Sequence, residues 1–384
     1  MTQTNQRHWL ALNLCNPVLG ARRAHQLIKH FGSIEAVFAA GESALQALGL
    51  STRAIAGIIA PDWAAVEAAQ AWADSPGRHI VRYGDGDYPP LLLQIPDPPL
   101  LLYCEGDLAQ LQRPALAIVG SRAPTPVGVE TAQAFAAQLA RLGFVIVSGM
   151  ALGIDAAAHR GCLSVGGNTI AVVGTGLDRI YPARHAALAE KIRAQGVLIS
   201  EFPLGTPPLG RHFPLRNRII SGLSRGVLVV EAGVQSGSLI TAHQALEQGR
   251  EVFAIPGSIH NPNSKGCHHL LREGAKLVDT VSNILEELDG QITLSAEMLD
   301  EIEPDTPSLP GKEFEELLAA VDTTPTSVEH IVERCGLTPD AVCSMLLLLE
   351  LQNIVQMTAS GQYCRTLGRS GNERKHPRCT DVSV

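Results

Sequence analysis

The chain is 384 residues long and carries a formal net charge of −8, with 45% hydrophobic and 18% charged residues. This composition supports a sizeable core, which excludes a globally disordered chain. The acidic balance argues against a protein coated in basic surface, although it is compatible with a local basic groove.

The cysteines and apolar segments indicate the compartment. None of the eight cysteines forms a C-x-x-C pair, so a zinc cluster is not expected. The N-terminus lacks a basic segment followed by an apolar run, and no apolar stretch is long enough to cross a membrane. We therefore expect a cytoplasmic protein with reduced thiols, no membrane association and no bound metal.

Residues 1–75 have the pattern of a small helical module. One predicted helix ends at Gly32, and Ser33 is suited to cap the next one. Two short helices around a glycine-containing turn are similar to helix-hairpin-helix or SAM-like modules, which can hold DNA phosphates through backbone N–H groups. The same pattern also fits a module that only packs against its neighbours, and both interpretations stay open.

Residues 76–289 alternate apolar strands with helices, for example over residues 129–142 and 239–248. The strand-like runs are short, continuous and β-branched, which is typical of a parallel sheet buried on both faces. We therefore predict an α/β fold with an extended Rossmann-like, doubly wound parallel sheet. The predicted strands are residues 116–119, 144–147, 169–173, 197–199, 227–230, 252–255 and 275–278.

Three further segments follow the predicted sheet. Residues 290–311 are acidic and contain proline, which indicates a linker. Residues 312–368 contain three helical patterns, one of them capped by Thr338, and a hairpin turned at Ser360-Gly361, which together predict a winged-helix-like domain. Residues 369–384 are predicted to be a disordered tail.

The carboxyl ends of the predicted strands are rich in Gly, Ser and Arg, and ligands of open α/β sheets bind at such ends. The first end reads Gly120-Ser121-Arg122 and leads to a helix opened by Thr125 or Pro126. A tight turn, a hydroxyl, a forked cation and helix N-terminal amides together suit a phosphate. The competing interpretation is an ordinary turn with Arg122 in a surface ion pair.

The second strand end reads Ser148-Gly149 and is followed by Asp155, His159 and Arg160. Small residues let another backbone approach closely. Asp155 is expected to cap the next helix, and Arg160, about one turn further on, either pairs with Asp155 or faces a phosphate. His159 has no matching nucleophile in the sequence and is not assigned a catalytic role.

Another strand end places Ser236-Gly237-Ser238 and Thr241 after Glu231, which makes an anion cradle with free N–H donors. Glu231 is interpreted either as a base or as a partner of nearby arginines. The segment matches neither a hydrolase nucleophile elbow nor a Walker A loop. The turns at Gly120 and Gly174 also lack G-x-G-x-x-G, so no nucleotide cofactor is expected.

A window without acidic residues gives the strongest signal. No Asp or Glu occurs from Phe202 through Val230, in a chain of negative net charge. Arginines beside an aromatic ring suit phosphate contacts plus base stacking, the two elements of single-strand recognition. The competing interpretation is a basic surface loop tied to acidic neighbours. The basic and aromatic members of the window include Arg211, His212, Phe213, Arg216, Arg218 and Arg225.

The last candidate is Lys265, in a polar loop ahead of His268 and His269. Adjacent histidines on a helix point in different directions, so this pair does not predict a metal site.

These motifs, taken in order, resemble the DprA/Smf family of DNA-processing proteins. The resemblance covers residues ~80–280, and several consecutive matches make it more specific than any single glycine turn. The matching segments are Ile118-Val119-Gly120-Ser121-Arg122, Ser148-Gly149-Met150-Ala151-Leu152-Gly153-Ile154-Asp155, Gly174-Thr175-Gly176-Leu177-Asp178, residues 213–224, and Ser236-Gly237-Ser238-Leu239-Ile240-Thr241-Ala242.

The resemblance implies a homodimeric protein that binds single-stranded DNA and is not known for catalysis. It further implies that the protein protects incoming DNA during natural transformation, in competent cells, and helps to load the RecA recombinase. Together with the patterns above, it predicts a DNA-binding set with Arg122 as the first residue to test. The set is Gly120, Ser121, Arg122, Ser148, Gly149, Arg160, Arg211, Phe213, Arg216, Arg218, Gly237, Ser238, Thr241 and Lys265.

The predicted winged-helix-like domain departs from a DNA reader. A recognition helix should carry basic residues, but residues 338–352 contain no Lys or Arg. Residues 312–368 contain eight Asp or Glu against three Lys or Arg. We therefore predict that this domain contacts protein, or the rest of the chain, and not duplex DNA.

Two other functions compete with DNA binding. A nucleotide enzyme of the phosphoribohydrolase type would carry a P-G-G-x-G-T-x-x-E run, whereas residues 231–238 here read Glu-Ala-Gly-Val-Gln-Ser-Gly-Ser. A pure interaction scaffold would leave the acid-free arginine window without an explanation.

Overall fold

A computed structural model of the chain describes residues 3–288, 317–322, 324, 326–351, 354–358 and 362–365. It divides into two compact units, Met1–Glu301 and Ile302–Val384. The domain boundaries expected after residues 75, 289, 311 and 368 stay predictions. The predicted linker and tail lie outside the described residues.

Six helices precede the sheet. Gly32, with φ 84°, ends the second of them, and the Ser33 hydroxyl accepts from Ala36 N at 3.1 Å at the start of the third, as predicted. Leu10 and Val66 from these helices share a core cluster with sheet residues. The helices are α1 (Gln3–Leu19), α2 (Ala21–Phe31), α3 (Ile34–Ala39), α4 (Glu42–Ala47), α5 (Thr52–Ile59) and α6 (Trp63–Ala73).

The sheet has nine strands in the order β1-β2-β6-β5-β4-β3-β7-β8-β9. From β6 to β9 every neighbouring pair is parallel. The strands are β1 (Arg78–Arg82), β2 (Leu101–Gly106), β3 (Ala115–Val119), β4 (Val145–Ser148), β5 (Thr169–Val172), β6 (Val197–Ser200), β7 (Gly226–Val229), β8 (Glu251–Ala254) and β9 (Lys276–Leu277). All seven predicted strands are therefore confirmed, and the parallel, doubly wound sheet with them.

The first two strands were not predicted. They are antiparallel to each other, and β2 is antiparallel to β6, so they extend one edge of the parallel sheet. In β1 only Val81 is buried, because the strand lies at this edge. It therefore lacks the continuous apolar run that marks the central strands.

Helices connect the parallel strands and cover the sheet. Every residue of β3 to β7 is buried as a result, which explains their continuous apolar sequences. The helices are α7 (Pro126–Arg141), α8 (Ile154–Ser164), α9 (Ala186–Gln195), α10 (His212–Gly222), α11 (Gly237–Glu247), α12 (Lys265–Arg272) and α13 (Val281–Leu288).

The second unit contains helical residues 317–320, α14 (Val328–Cys335), α15 (Pro339–Leu351) and an antiparallel ribbon of β10 (Val355–Met357) and β11 (Tyr363–Arg365). Thr338 caps α15 by accepting from Ala341 N at 3.4 Å, as predicted. The predicted turn at Ser360-Gly361 lies outside the described residues. Within the described part of the chain, no helix has the length and apolarity needed to span a membrane.

Candidate nucleic-acid interface

A cleft opens at the point in the sheet where the strand order reverses. β3 and β7 are neighbours, but the chain leads from β3 to β4 on one side and from β7 to β8 on the other. Ligand sites of open α/β sheets form at this switch point. The cleft has a volume of about 540 Å³. It is lined by half of the predicted DNA-binding residues: Gly120, Ser121, Arg122, Arg216, Gly237, Ser238 and Thr241.

The loop after β3 is held rigidly against the loop after β7. Ser121 N donates to Glu231 O at 2.6 Å, and a Cβ at Gly120 would lie 2.8 Å from the same oxygen. Arg122 follows in the chain and is exposed. Its guanidinium pairs with no carboxylate among the described residues. This loop therefore presents a guanidinium that has no carboxylate partner among the described residues, on a backbone that these contacts fix in place.

The start of α7 holds an anion that belongs to the chain itself. Thr125 is the N-cap, and Glu231 accepts from Thr125 N at 2.9 Å and from Thr125 Oγ1 at 2.6 Å. A Cβ at Gly128 would lie 2.6 Å from the Glu231 carboxyl carbon. The expectation that these amides receive a phosphate is therefore wrong, because the Thr125 amide donates to Glu231 and the Gly128 amide donates to Thr125 Oγ1 at 3.0 Å.

Arg216 lies buried at the floor of the cleft, only 3% exposed. Its Nη1 donates to Gly149 O at 2.7 Å and also to Val172 O, so it joins the carboxyl ends of β4 and β5. Burial lowers the pKa of Arg216 to about 10, which leaves it protonated at neutral pH. Burial also raises the pKa of the nearby Asp155, and Arg216 opposes that shift. Arg216 is thus a fixed cation beneath the cleft.

Arg218 lies on the same helix but is held in a buried ion pair. Its Nη2 is 2.5 Å from Glu201 Oε2, and its Nε is 3.1 Å from Asp97 Oδ2. Burial raises the pKa of Glu201, and Arg218 opposes that shift. Because two carboxylates already balance its charge, Arg218 is positioned to fix α10 and not to reach a phosphate. Arg218 is thus tied to acidic neighbours, as the competing interpretation expected, but it is buried in α10 and not in a surface loop.

Phe213 and Asn217 show how α10 spans the carboxyl edge of the sheet. The half-buried Phe213 ring packs on Gly174 after β5, where an added Cβ would lie 3.1 Å from Phe213 Cδ1. Asn217 Nδ2 donates to Gly237 O, at the start of α11, at 3.3 Å. The Arg122 guanidinium carbon lies 5.6 Å from the Phe213 ring centroid. The helix therefore places an aromatic face beside the free cation.

The start of α11 lies at the cleft as predicted, but its Ser238 amide is not a free donor. Ser236 is the N-cap, and its hydroxyl accepts from Ser238 N at 3.3 Å and lies 2.7 Å from Ser238 Oγ. Gly237 is exposed at the cleft, and nothing lies within 4 Å of an added Cβ there. Hydroxyls and helix N-terminal amides together favour an anionic group at this position.

The β4–α8 loop corrects the expected cap of α8 and removes one of the two alternatives for Arg160. Gly153, and not Asp155, is the N-cap of α8, because the Asp155 carboxylate turns back to accept from Gly149 N at 3.1 Å and Ala151 N at 3.3 Å. Arg160 does not pair with Asp155. It is exposed and lines a separate cavity of about 410 Å³ that includes residues of α8 and α9.

Other predicted residues lie outside the cleft lining. Ser148 is fully buried, and its hydroxyl donates to Ile118 O at 2.7 Å, so its role is structural. Arg211 and Lys265 are exposed next to the starts of α10 and α12. In the described residues, no group of three or more His, Cys, Asp or Glu is arranged to hold a metal ion.

Two polar side chains of the cleft lining were missed by the sequence analysis. Asn217 and Gln235 both line the cleft. Asn217 lies inside the arginine-rich window, and its position between Arg216 and Arg218 was the available signal. Gln235 directly precedes the Ser-Gly-Ser cradle, but a glutamine in a loop carries no specific signal of its own.

Comparison with known protein families decides the relationship. The protein-family model described as DNA recombination-mediator protein A matches residues 79–289, and the family model of the DprA winged helix domain matches residues 302–359. The chain belongs to the DprA/Smf family. The predicted winged-helix domain is thereby confirmed, together with the Rossmann-like fold.

Curated members of the DprA/Smf family extend the match over most of the chain. Protein Smf of Escherichia coli K12 is 42% identical over 359 residues, which cover 92% of this chain and 94% of that protein. DNA processing protein DprA of Streptococcus pneumoniae R6 is 50% identical over 205 residues, or 53% of this chain and 72% of that protein.

Solved DprA structures have the same architecture. The crystal structure of DprA from Streptococcus pneumoniae matches with a TM-score of 0.65 and 38% identity, covering 73% of this chain and 97% of that one. A structure of DprA from Helicobacter pylori, described for its single-stranded DNA binding mode, matches with a TM-score of 0.51 and 31% identity. It covers 56% of this chain and 98% of that one.

Proposed function

We propose that this chain binds single-stranded DNA in the switch-point cleft, protects it during natural transformation and helps to load RecA for recombination. The observation that carries the proposal is the exposed Arg122 guanidinium above the half-buried Phe213 ring, 5.6 Å away, at a cleft that the start of α11 also lines. Cations plus an aromatic face are the elements of sequence-tolerant single-strand binding. The single-strand binding described for the Helicobacter pylori relative supports the same ligand here.

We also propose that the cleft performs no chemistry. Asp155 is the acidic side chain that lines it, and its Oδ2 accepts from two backbone amides. Both oxygens of Glu231 accept from Thr125. A general base needs a free oxygen within reach of the substrate proton. Neither oxygen of Glu231 is free, and Asp155 is only 7% exposed and lies beside the buried Arg216 cation.

The proposed partners are a second copy of the chain and RecA. Family membership supports both. Light scattering should give twice the mass of the chain, and the protein should accelerate RecA assembly on single strands coated with single-strand-binding protein. A monomeric mass or unchanged assembly would contradict the corresponding partner without affecting DNA binding.

The test of DNA binding is a titration of fluorescent oligo-dT and of a duplex of equal length at two salt concentrations. Arg122→Ala should weaken oligo-dT binding about tenfold, the loss expected when one charge-assisted contact to the strand is removed. It should also lower the slope of log K against log salt by about 1. Arg141→Ala is the matched control, because Arg141 is exposed at the far end of α7.

Preference for the single strand, with loss in Arg122→Ala only, supports the proposal. If neither DNA binds at low salt, the proposal is wrong, and release of free base from nucleoside monophosphates becomes the next assay. Equal losses in the two variants would show that general surface charge, and not the cleft, holds the DNA.

A further inference from the structure

A second aromatic side chain lies beyond the cleft. Tyr181 follows β5, its ring centroid lies 5.7 Å from that of Phe213, and the residue is 48% exposed. Arg122, Phe213 and Tyr181 therefore form a continuous row of one cation and two rings. The row leads from the switch point towards the ends of β5 and β6.

The loop that carries Tyr181 is held in place by bonds on both sides. Thr175 Oγ1 donates to Arg179 O at 3.1 Å, and Asp178 Oδ1 accepts from Gly205 N at 2.8 Å. After Tyr181, the buried His185 ring bonds Met150 O through Nδ1 at 3.0 Å. An exposed aromatic ring on an anchored loop is preorganised, so binding to it costs little conformational entropy.

The charge around Tyr181 suits a polyanion. Arg184 and Arg211 are both exposed, and neither pairs with a carboxylate within the described residues. Arg179 is also exposed but lies 3.6 Å from Asp178. Arg184 follows Tyr181 by three residues, and Arg211 precedes Phe213 by two. The same two segments thus supply a half-exposed ring for stacking and cations for backbone contacts, the combination found in single-strand binding sites.

We propose that Tyr181 is a nucleobase-stacking site that continues the path of the single strand from the cleft across Phe213. This inference rests on the proposed function and names a part of the interface that the cleft does not include. A base that stacks on a protein ring has left the base stack of a duplex, so stacking on Tyr181 favours a single strand over a duplex.

The test compares Tyr181→Ala, Tyr181→Phe and Arg122→Ala with the full-length wild type. The probe is oligo-dT carrying single 2-aminopurine substitutions, whose fluorescence changes when the base stacks. Tyr181→Ala should weaken binding about 5- to 100-fold, the range for loss of one stacked base. It should leave the salt slope unchanged and abolish the fluorescence response at one or two positions. Tyr181→Phe should retain affinity and response, because the ring is what stacks.

Two results would overturn the inference while the proposed function stands: Tyr181→Ala binding like wild type while Arg122→Ala weakens, or Tyr181→Phe losing as much as Tyr181→Ala. If the wild type itself does not bind oligo-dT, both proposals fail together. Equal thermal midpoints for wild type and Tyr181→Ala would exclude unfolding as the cause of a loss.

Discussion

At the scale of single residues, Gly149 shows how tightly the cleft floor is packed. A Cβ at this position would lie 2.8 Å from Arg216 Nη2 and 2.8 Å from Asp155 Oδ2. Both side chains are buried and hydrogen-bonded, so neither can move away freely. We expect Gly149→Ala to lower the free energy of unfolding by about 1–3 kcal/mol and to weaken oligo-dT binding.

Urea unfolding and the oligo-dT titration would measure both effects. Gly86→Ala is the control, since nothing lies within 4 Å of an added Cβ there and its φ is not in the left-handed region. An unchanged Gly149→Ala protein would mean that Arg216 and Asp155 rearrange at no cost.

His159 predicts acid sensitivity. The ring is fully buried, and burial lowers its pKa to about 3. Its Nδ1 lies 2.7 Å from Thr169 Oγ1, whose hydroxyl donates to Ile146 O, so the neutral ring is the donor. In the unfolded chain, the same ring becomes protonated with the ordinary histidine pKa of about 6.5. The contribution of His159 to stability is therefore constant above about pH 6.5 and decreases as pH falls towards 3.

The expected loss is at most about 1.4 kcal/mol per pH unit below 6.5. Urea unfolding of wild type and His159→Gln at pH 7.5 and 5.5 measures this loss. The free energy of unfolding should differ less between the two pH values in the variant than in the wild type. Equal differences would mean that other groups cause the acid sensitivity.

The arginine window also shows how far sequence predicts a site at this scale. The absence of acidic residues correctly marked α10 as part of the cleft wall, because the signal lies within one segment. It did not separate the exposed Arg211 from the buried Arg216 and Arg218. The burial of Arg216 and Arg218 depends on contacts with Gly149, Glu201 and Asp97, which lie far away in the sequence.

At the scale of elements, the parallel strands were predictable and the antiparallel edge was not. β3 to β7 are buried on both faces, so each is a continuous apolar run. β1 has arginines at both ends, and Arg78 pairs with Glu105 of β2 at 3.0 Å. Such a strand forms through its pairing with the neighbouring strand, and its own sequence has no apolar periodicity from which it could be predicted.

The Arg218–Glu201 pair connects α10 to the end of β6, and it predicts a large energetic coupling. Removing one partner leaves a buried charge, so we expect Arg218→Met or Glu201→Gln to cost about 3–5 kcal/mol of unfolding free energy. The double variant should cost less than the sum, because no buried charge is left without a partner; the remaining carboxylate, that of Asp97, is 39% exposed and can be solvated. A double-mutant cycle by urea unfolding measures the coupling; additive losses would contradict it.

At the scale of the whole molecule, the second unit gives the last prediction. No Lys or Arg lies between Pro339 and Leu351 in α15, the helix that would read DNA in a winged helix. We therefore expect a chain lacking residues 302–384 to bind oligo-dT within about twofold of full length, since we propose that the phosphate contacts lie in the cleft. Duplex affinity should also be unchanged. Loss of duplex binding on truncation would assign DNA contact to the second unit.

The Glu231 carboxylate at the start of α7 has a consequence for selectivity. In dinucleotide-binding sheets, the helix after the first strand receives the pyrophosphate of a coenzyme. Here a tethered carboxylate is held at that position by Thr125 at 2.6 and 2.9 Å. Because this carboxylate is part of the chain, its effective concentration at this position is high, and the pyrophosphate of a coenzyme would have to displace it. The start of α7 therefore disfavours small nucleotides, which agrees with the proposal that the neighbouring cleft takes a polymer.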